Sequence, residues 1–570
     1  MGRRWRWVRR GVVLFLAAWA GVAAILLLSA RSASEDAFDQ LDRAQRRRTF
    51  SALVDRETAQ RIGSAQQGFA DAAQTLESPW LAPLRVVPVL GRQVRASSRL
   101  TRAAADASTI AVDALDDLRL ATDGPAPGGQ ERITLLRDLA TTVERSRTRL
   151  AAIDGPDGKA LITPLLEART EFLDAQTEAA EGLERAESVL RGMSQLLEGG
   201  TYLLLGANNA EMRAGSGMFL SASTITTQGG RLDLGDVRPT NDLVLGAGVP
   251  VDGELAENWP WLEPGRDFRN LGLTPRFAIS AEIASRMWLQ VPGGGPVDGV
   301  MAVDVEGLRR LLRVVGPVTV GEIRYTSTTV REQLLHGQYR RFGGDQQARV
   351  DELGQVARAV FARLEDGGGK IDSLATEMVA AAGGRHLLLW SSDDAEQAAW
   401  RTASVDGRLQ EDSLGVSVLS RGANKLDWFL DVTSTVEVER QEAATEVTVE
   451  VDLANRTPDG EPRYVTGPNV DGLFPGEYSG IVVVNLPRAA RAVRVTGGAY
   501  QTLAGADGPT QVRGTYLRLP RGRTDTVKVT FRLPAGPGSL VLEPSGRVRP
   551  TTWRSGGETW KEEKRRTVRW

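Results

Sequence analysis

The longest apolar run in the chain, Val12 to Ala30, holds 19 residues without a charge. As a helix rising about 1.5 Å per residue it reaches roughly 28 Å, close to the hydrocarbon thickness of a bilayer. Arg3, Arg4, Arg6, Arg9 and Arg10 precede it, and Glu35, Asp36 and Asp39 follow. Guanidinium groups stay on the cytoplasmic side, so the pattern predicts a single-pass plasma-membrane anchor with a cytoplasmic N-terminus and an extracytoplasmic bulk. A cleaved signal peptide is the rival, with small residues around Ala30-Arg31-Ser32. Its apolar core would be shorter, roughly 7 to 15 residues.

Beyond the anchor the period of the pattern changes twice. Ile62, Ala65, Phe69, Ala72 and Leu76 recur at intervals of three and four, as do Ile133, Leu136, Leu139, Val143 and Leu150. Leu173, Ala179, Leu183, Ala186, Leu190 and Leu197 repeat the spacing. Such stripes predict helices with one buried face, and breaks at Ser78-Pro79 through Gly91, Gly124–Gly129 and Gly155–Gly158 make four antiparallel helices the economical reading. After Gly199-Gly200, short apolar runs alternate with helical segments. Strands are expected at Tyr202–Leu205, Met218–Gln228, Val297–Val305, Pro317–Tyr325 and His386–Trp390, with helices at Ile279–Leu289, Glu306–Val315, Thr328–Phe342, Gln346–Glu365 and Asp372–Ala382. That alternation predicts an α/β layer. From Leu426, alternating strands between Gly, Pro and Asp turns predict a β-sandwich. The fold class is therefore multidomain α+β: tail and transmembrane anchor over 1–33, helical bundle over 34–199, α/β domain over 200–425, β-sandwich over 426–548, and a solvated polar tail over 549–570.

Composition narrows the chemistry. The net charge of -2 argues against a general nucleic-acid binder. The chain has no cysteine, which removes disulfides, thiolate nucleophiles and Cys metal sites. Only His336 and His386 are available as imidazole bases, and no G-x-S-x-G elbow accompanies either. No metal ligand set is expected.

One segment concentrates polar chemistry: Gly206 to Gly217, directly after the first apolar strand, where ligands of α/β folds gather. Asn208, Asn209, Glu211 and Arg213 lie within it. Arg213 can grip a phosphate bidentately, with backbone N–H groups supplied by the glycines; a polar turn pairing locally is the plainer reading. Arg269, in the loop Arg266–Asn270, is a second candidate cation for the same anion or diphosphate, a surface ion pair being the alternative. Asp304 precedes a helix and is expected to cap it rather than bind a metal. The Gly293–Gly295 and Gly367–Gly369 triplets lack the Lys-Ser/Thr of a phosphate loop.

The run Tyr202 to Arg213 with Gly215 and Gly217, the stretch Val297–Asp304 continuing to Gly316-Pro317-Val318-Thr319-Val320, and Asn424-Lys425-Leu426-Asp427 resemble the uncharacterised bacterial family called domain of unknown function 4012. A more distant resemblance is to LytR–CpsA–Psr glycopolymer transferases, through Gly206, Asn208 or Asn209, Arg213, and Gly316-Pro317-Val318. That resemblance implies diphosphate at Arg213 and Arg269, and magnesium at Glu211. An Asn stands where the metal-binding Asp is expected, and Val237-Arg238-Pro239 replaces the family's Ser-Ile-Pro-Arg-Asp motif. The leading expectation is an envelope-facing protein that binds or assembles cell-surface polysaccharide or its polyprenyl lipid carrier, attached to the membrane through Val12–Ala30. A magnesium-dependent transferase of polyprenyl-diphosphate-linked glycopolymers and a non-catalytic scaffold are the alternatives.

Overall fold

The computed structural model describes residues 22, 23, 25–27, 29, 30, 33, 56–562 and 564–570. Most of the expected anchor, Val12–Ala30, lies outside these residues, and no helix among the described residues is long and apolar enough to cross a membrane. The chain is multidomain α+β and divides into two compact units, 1–124 with 135–190 and 125–134 with 191–570.

Four long helices follow the predicted breaks: α1 (Arg56–Glu77), α2 (Leu90–Thr122), α3 (Gly129–Ala151) and α4 (Thr163–Glu198). In the first unit, Ala65 and Phe69 of α1 pack with Leu100, Ala103 and Ala104 of α2 and Phe172 of α4. The stripe expected along α4 is displaced: Phe172 is buried while Ala179 is exposed. Alanine presents too little apolar area to decide which way a helix turns, whereas a phenyl ring does.

The second unit is built on three six-stranded sheets. The first contains β1 (Gly199–Met212), β2 (Gly217–Gln228), β3 (Arg231–Leu234), β4 (Arg238–Pro239), β5 (Gly299–Asp304) and β8 (Leu387–Ser391), in the order β3-β2-β1-β5-β8 with β4 beside β2. Here β1 runs parallel to β5 and antiparallel to β2. Helices α5 (Phe277–Trp288), α6 (Val305–Val315), α7 (Gln346–Glu365), α8 (Ile371–Gly383) and α9 (Asp394–Thr402) belong to the same unit. The strand expected over Pro317–Tyr325 is instead a small hairpin, β6 (Val318–Val320) and β7 (Ile323–Tyr325), turning at the left-handed Gly321.

The other two sheets face each other across a core that includes Val432, Val449, Val451, Val482, Val484 and Phe531. One contains β10 (Leu430–Arg440), β11 (Thr445–Asn455), β13 (Arg491–Thr496) and β16 (Thr524–Leu533); the other contains β9 (Ser413–Ser420), β12 (Tyr478–Pro487), β14 (Tyr500–Asp507) and β15 (Thr510–Leu519). β12 is buried along its whole length. Val482 and Val484 enter the sandwich, while Ile481 and Val483 join the core that holds Leu203, Leu205 and Phe219 of the first sheet. Burial on both faces explains why Ile481–Val484 reads as an uninterrupted apolar run.

The terminal stretch 549–570, expected to be a solvated tail, forms three strands instead: β18 (Thr552–Ser555), β19 (Glu558–Lys561) and β20 (Arg566–Arg569). β18 pairs with β10, and β20 pairs with β17 (Ser539–Glu543). The charges occupy the outward positions of these strands; Trp553, between them, is 1% exposed and donates its indole N–H to Glu562 at 3.0 Å. Alternation of basic and apolar residues is an edge-strand pattern as much as a tail pattern.

Candidate functional site

The polar segment expected to be a loop after the first strand is the strand's own far end. β1 continues to Met212, and its pairing with β2 shifts register between Gly206 and Ala207 and again between Asn208 and Met212. Regular alternation would put Asn208 and Glu211 on opposite faces; the extra residues of the second shift bring them to one side. The close approach requires glycine at Gly217, where a Cβ would stand 2.5 Å from the carbonyl carbon of Asn208.

A cavity of about 370 Å³ opens beside this bulge. Asn208, Glu211, Arg213, Asp267, Arg269, Tyr339, Arg349, Lys425 and Tyr464 are among its lining residues. Four of the five candidate residues therefore meet there, namely Asn208, Glu211, Arg213 and Arg269. The fifth, Asn209, is not in the lining. It is buried on another path, donating to Asp304 Oδ2 at 2.7 Å and to the Gly546 carbonyl at 2.8 Å. Asp304 caps α6 by accepting from the Gly307 N–H at 2.9 Å, and its other oxygen lies 2.7 Å from His386 Nδ1.

Arg213 is 4% exposed. Its Nε donates to the Arg269 carbonyl at 3.0 Å, and its Nη1 to the carbonyls of Ser420 at 3.0 Å and Met212 at 3.2 Å. None of these acceptors is a carboxylate. Burial pulls its pKa down from the usual 12.5 to about 10, against the opposing pull of Glu211. Arg269 differs: it is fastened to Asp267, with Nη2 donating to Oδ2 at 2.6 Å, and that bond holds its pKa above the ordinary value. Glu211 accepts from Lys425, and both side chains are nearly inaccessible. Burial works against the charge on Lys425, but Glu211, Tyr339 and Tyr464 together outweigh it and raise its pKa.

Two tyrosines form an aromatic wall. The rings of Tyr339 and Tyr464 stack at 5.7 Å, with the Arg349 guanidinium 4.5 Å from the Tyr464 centroid and Lys425 Nζ 5.3 Å from that of Tyr339. Asn208 Nδ2 donates to the Tyr339 hydroxyl at 2.7 Å, and Arg349 Nη2 donates to that of Tyr464 at 2.8 Å. The neighbouring Gln338 leaves its buried Oε1 without a hydrogen-bond partner.

Charges in the lining thus comprise four cations (Arg213, Arg269, Arg349 and Lys425) and two carboxylates (Glu211 and Asp267), each carboxylate bonded to a cation. The surplus is positive. That donor set fits an anion and does not fit the magnesium ion implied at Glu211, whose oxygen is already held by an ammonium group. Among the described residues no group of three His, Cys, Asp or Glu stands ready to hold a metal. Lys425, Arg349, Tyr339 and Tyr464 escaped the sequence reading as site residues. A signal existed for Lys425: it is one of six lysines in a chain with 70 basic residues, and it lies in the quoted motif Asn424–Asp427.

Residues 198–339 match the family described as "Protein of unknown function (DUF4012)", in agreement with the resemblance carried by the motifs of that stretch. The matched segment includes Asn208, Glu211, Arg213, Arg269 and Tyr339 but stops short of Arg349, Lys425 and Tyr464. No curated protein and no solved structure matches the chain.

Proposed function

We propose that the Arg213 cavity binds an anionic group of a cell-surface polysaccharide or of its lipid carrier, and that the protein is held to the membrane by Val12–Ala30 to do so. The single observation that carries the binding reading is Arg213, a buried guanidinium on neutral acceptors, lining a cavity whose remaining cations outnumber its carboxylates. No carboxylate is hydrogen-bonded to this charge, and a phosphoryl or carboxylate oxygen would both hydrogen-bond it and neutralise it. Stacked tyrosines and carboxamides beside the cations suit a ligand that joins an anion to a polar ring, as a glycosyl phosphate does. The support for the membrane attachment is the length of the apolar run and its arginine flank. Binding is favoured over group transfer because the carboxylates that a transferase would need for magnesium are already committed to cations.

The test is extraction of the full chain in detergent with mass spectrometry of co-purifying lipids, alongside thermal unfolding with inorganic pyrophosphate. Wild-type protein is expected to carry a polyprenyl-linked phosphate and to gain stability from pyrophosphate. Arg213→Met should lose both. Equal lipid content and equal pyrophosphate response in the two proteins would overturn the reading.

A further inference from the structure

The connection between α1 and α2 exposes more large apolar side chains than a solvated turn should. Trp80, Val86, Val87, Val89 and Leu90 fall within eleven positions, with exposures between 42% and 82%. The segment is ordered as a 3₁₀ turn over Pro79–Leu81 and a short helix over Ala82–Val86 before α2 begins at Leu90. A fixed backbone thus holds these side chains outward. Leu81 takes the inner side of the turn.

Two further observations bear on what covers them. From Ser78 to Ala105 there are five arginines (Arg85, Arg92, Arg95, Arg99 and Arg102) and no acidic residue; Arg102 pairs with Glu77, just before the turn. Independently, three residues of the expected anchor lie against the end of α1 and this turn: Ala23 and Ala30 are buried with Ala72, Leu76 and Leu81, and Leu26 packs beside them with Ala33 and Leu84. An apolar tip with a tryptophan, a cationic collar and the end of the expected anchor at its side has the chemistry of a membrane-interface element.

We infer that Trp80–Leu90 is a second membrane contact, seated in the headgroup region of an anionic bilayer next to the anchor. The inference rests on the reading of Val12–Ala30 as the anchor. Trp80 and the valines enter the boundary between acyl chains and headgroups, and the exposed Arg92 meets lipid phosphates. Two attachments on one helical hairpin restrict how that hairpin tilts on the membrane, where a single anchor would leave it free to swing.

The absence of cysteine permits a clean test. Full-length Val86→Cys, labelled with an environment-sensitive fluorophore, is reconstituted into vesicles of phosphatidylethanolamine and phosphatidylglycerol. Glu442→Cys, on the turn between β10 and β11, serves as the control. Flotation of the vesicles reports the anchor by itself. The expected result is flotation, a blue-shifted Val86→Cys emission quenched several-fold by lipids carrying spin labels, little quenching by iodide, and the reverse at Glu442→Cys. Flotation with iodide quenching at Val86→Cys overturns the second contact and leaves the anchor standing. Protection from both quenchers would mean a protein partner and also overturns it. Failure to float overturns the anchor and the inference together.

Discussion

Arg213 and Arg385 are alike in almost every local respect. Each is 4% exposed, each is drawn down to about 10 by burial, and each spends its N–H groups on three backbone carbonyls. Their surroundings differ. Arg385 reaches the carbonyls of Gly215, Pro275 and Gly407, three separate segments that it fastens together from a left-handed backbone position of its own. Arg213 holds carbonyls as well, yet it also lines a cavity in which Arg269, Arg349 and Lys425 stand around it. Burial and a lowered pKa therefore do not distinguish a structural cation from one prepared for a ligand; unfilled space and the sign of the neighbouring charges do.

The sharpest way to break the contrast is at the cavity's own internal pair. Lys425→Met leaves Glu211 buried and unpaired, which should cost about 3–5 kcal/mol, read as a fall in the thermal midpoint of the second unit. Lys425→Met with Glu211→Gln removes both charges and should recover most of the loss. No recovery would mean that the pair matters through shape and not through charge.

Next in size is Arg385→Ala. It strands three carbonyls in an enclosed place, at about 3 kcal/mol by the cost of unpaired buried acceptors, and should leave the response to pyrophosphate unchanged. Arg213→Ala reverses the order: water in the cavity reaches its abandoned carbonyls, so the unliganded protein loses less, while ligand stabilisation disappears. At a hundredfold excess over Kd that stabilisation amounts to about 2.7 kcal/mol. If the two variants respond alike to pyrophosphate, the distinction between them is void.

How far these roles were legible beforehand follows from what period and spacing encode. Amphipathic stripes and alternation located the helices and most strands, because a buried face leaves its period in the sequence. Asn208, Glu211, Arg213 and Arg269 were legible because Arg213 and its neighbours crowd into twelve positions after a strand, and Arg269 sits in a compact polar loop. Arg349, Lys425 and Tyr464 arrive from α7, the turn after β9 and a short helix far along the chain, and nothing local announces that these converge. Asn209 lies apart from the cavity because two register shifts in β1 decide which neighbours share a face, and a bulge has no period to read. The last strands read as a tail because outward charges outnumber the inward residues, and the tryptophans that anchor them, Trp553 with Trp560 and Trp570 beside the same core, carry little weight in a count.

The smallest effect probes Arg269, one of the two cavity cations already paired with a carboxylate. Arg269 is held by both oxygens of Asp267, its Nε at 3.0 Å from each, so its charge is cancelled within the cavity. Asp267 also accepts from the Arg269 N–H at 2.9 Å, capping the turn Phe268–Asn270. Asp267→Asn keeps a capping acceptor and removes the negative charge. The Arg269 side chain, 38% exposed, becomes free to turn towards an anion. Solvent screening at that exposure limits the gain to under about 1 kcal/mol, so pyrophosphate should bind a few-fold tighter, with a steeper loss of affinity as salt is raised. Arg269→Ala alone should weaken wild-type binding only slightly, since its charge was already spent. A large loss from Arg269→Ala, matching that of Arg213→Met, would show that the Asp267 pair opens when the ligand binds, and that the cavity keeps three cations in reserve instead of two.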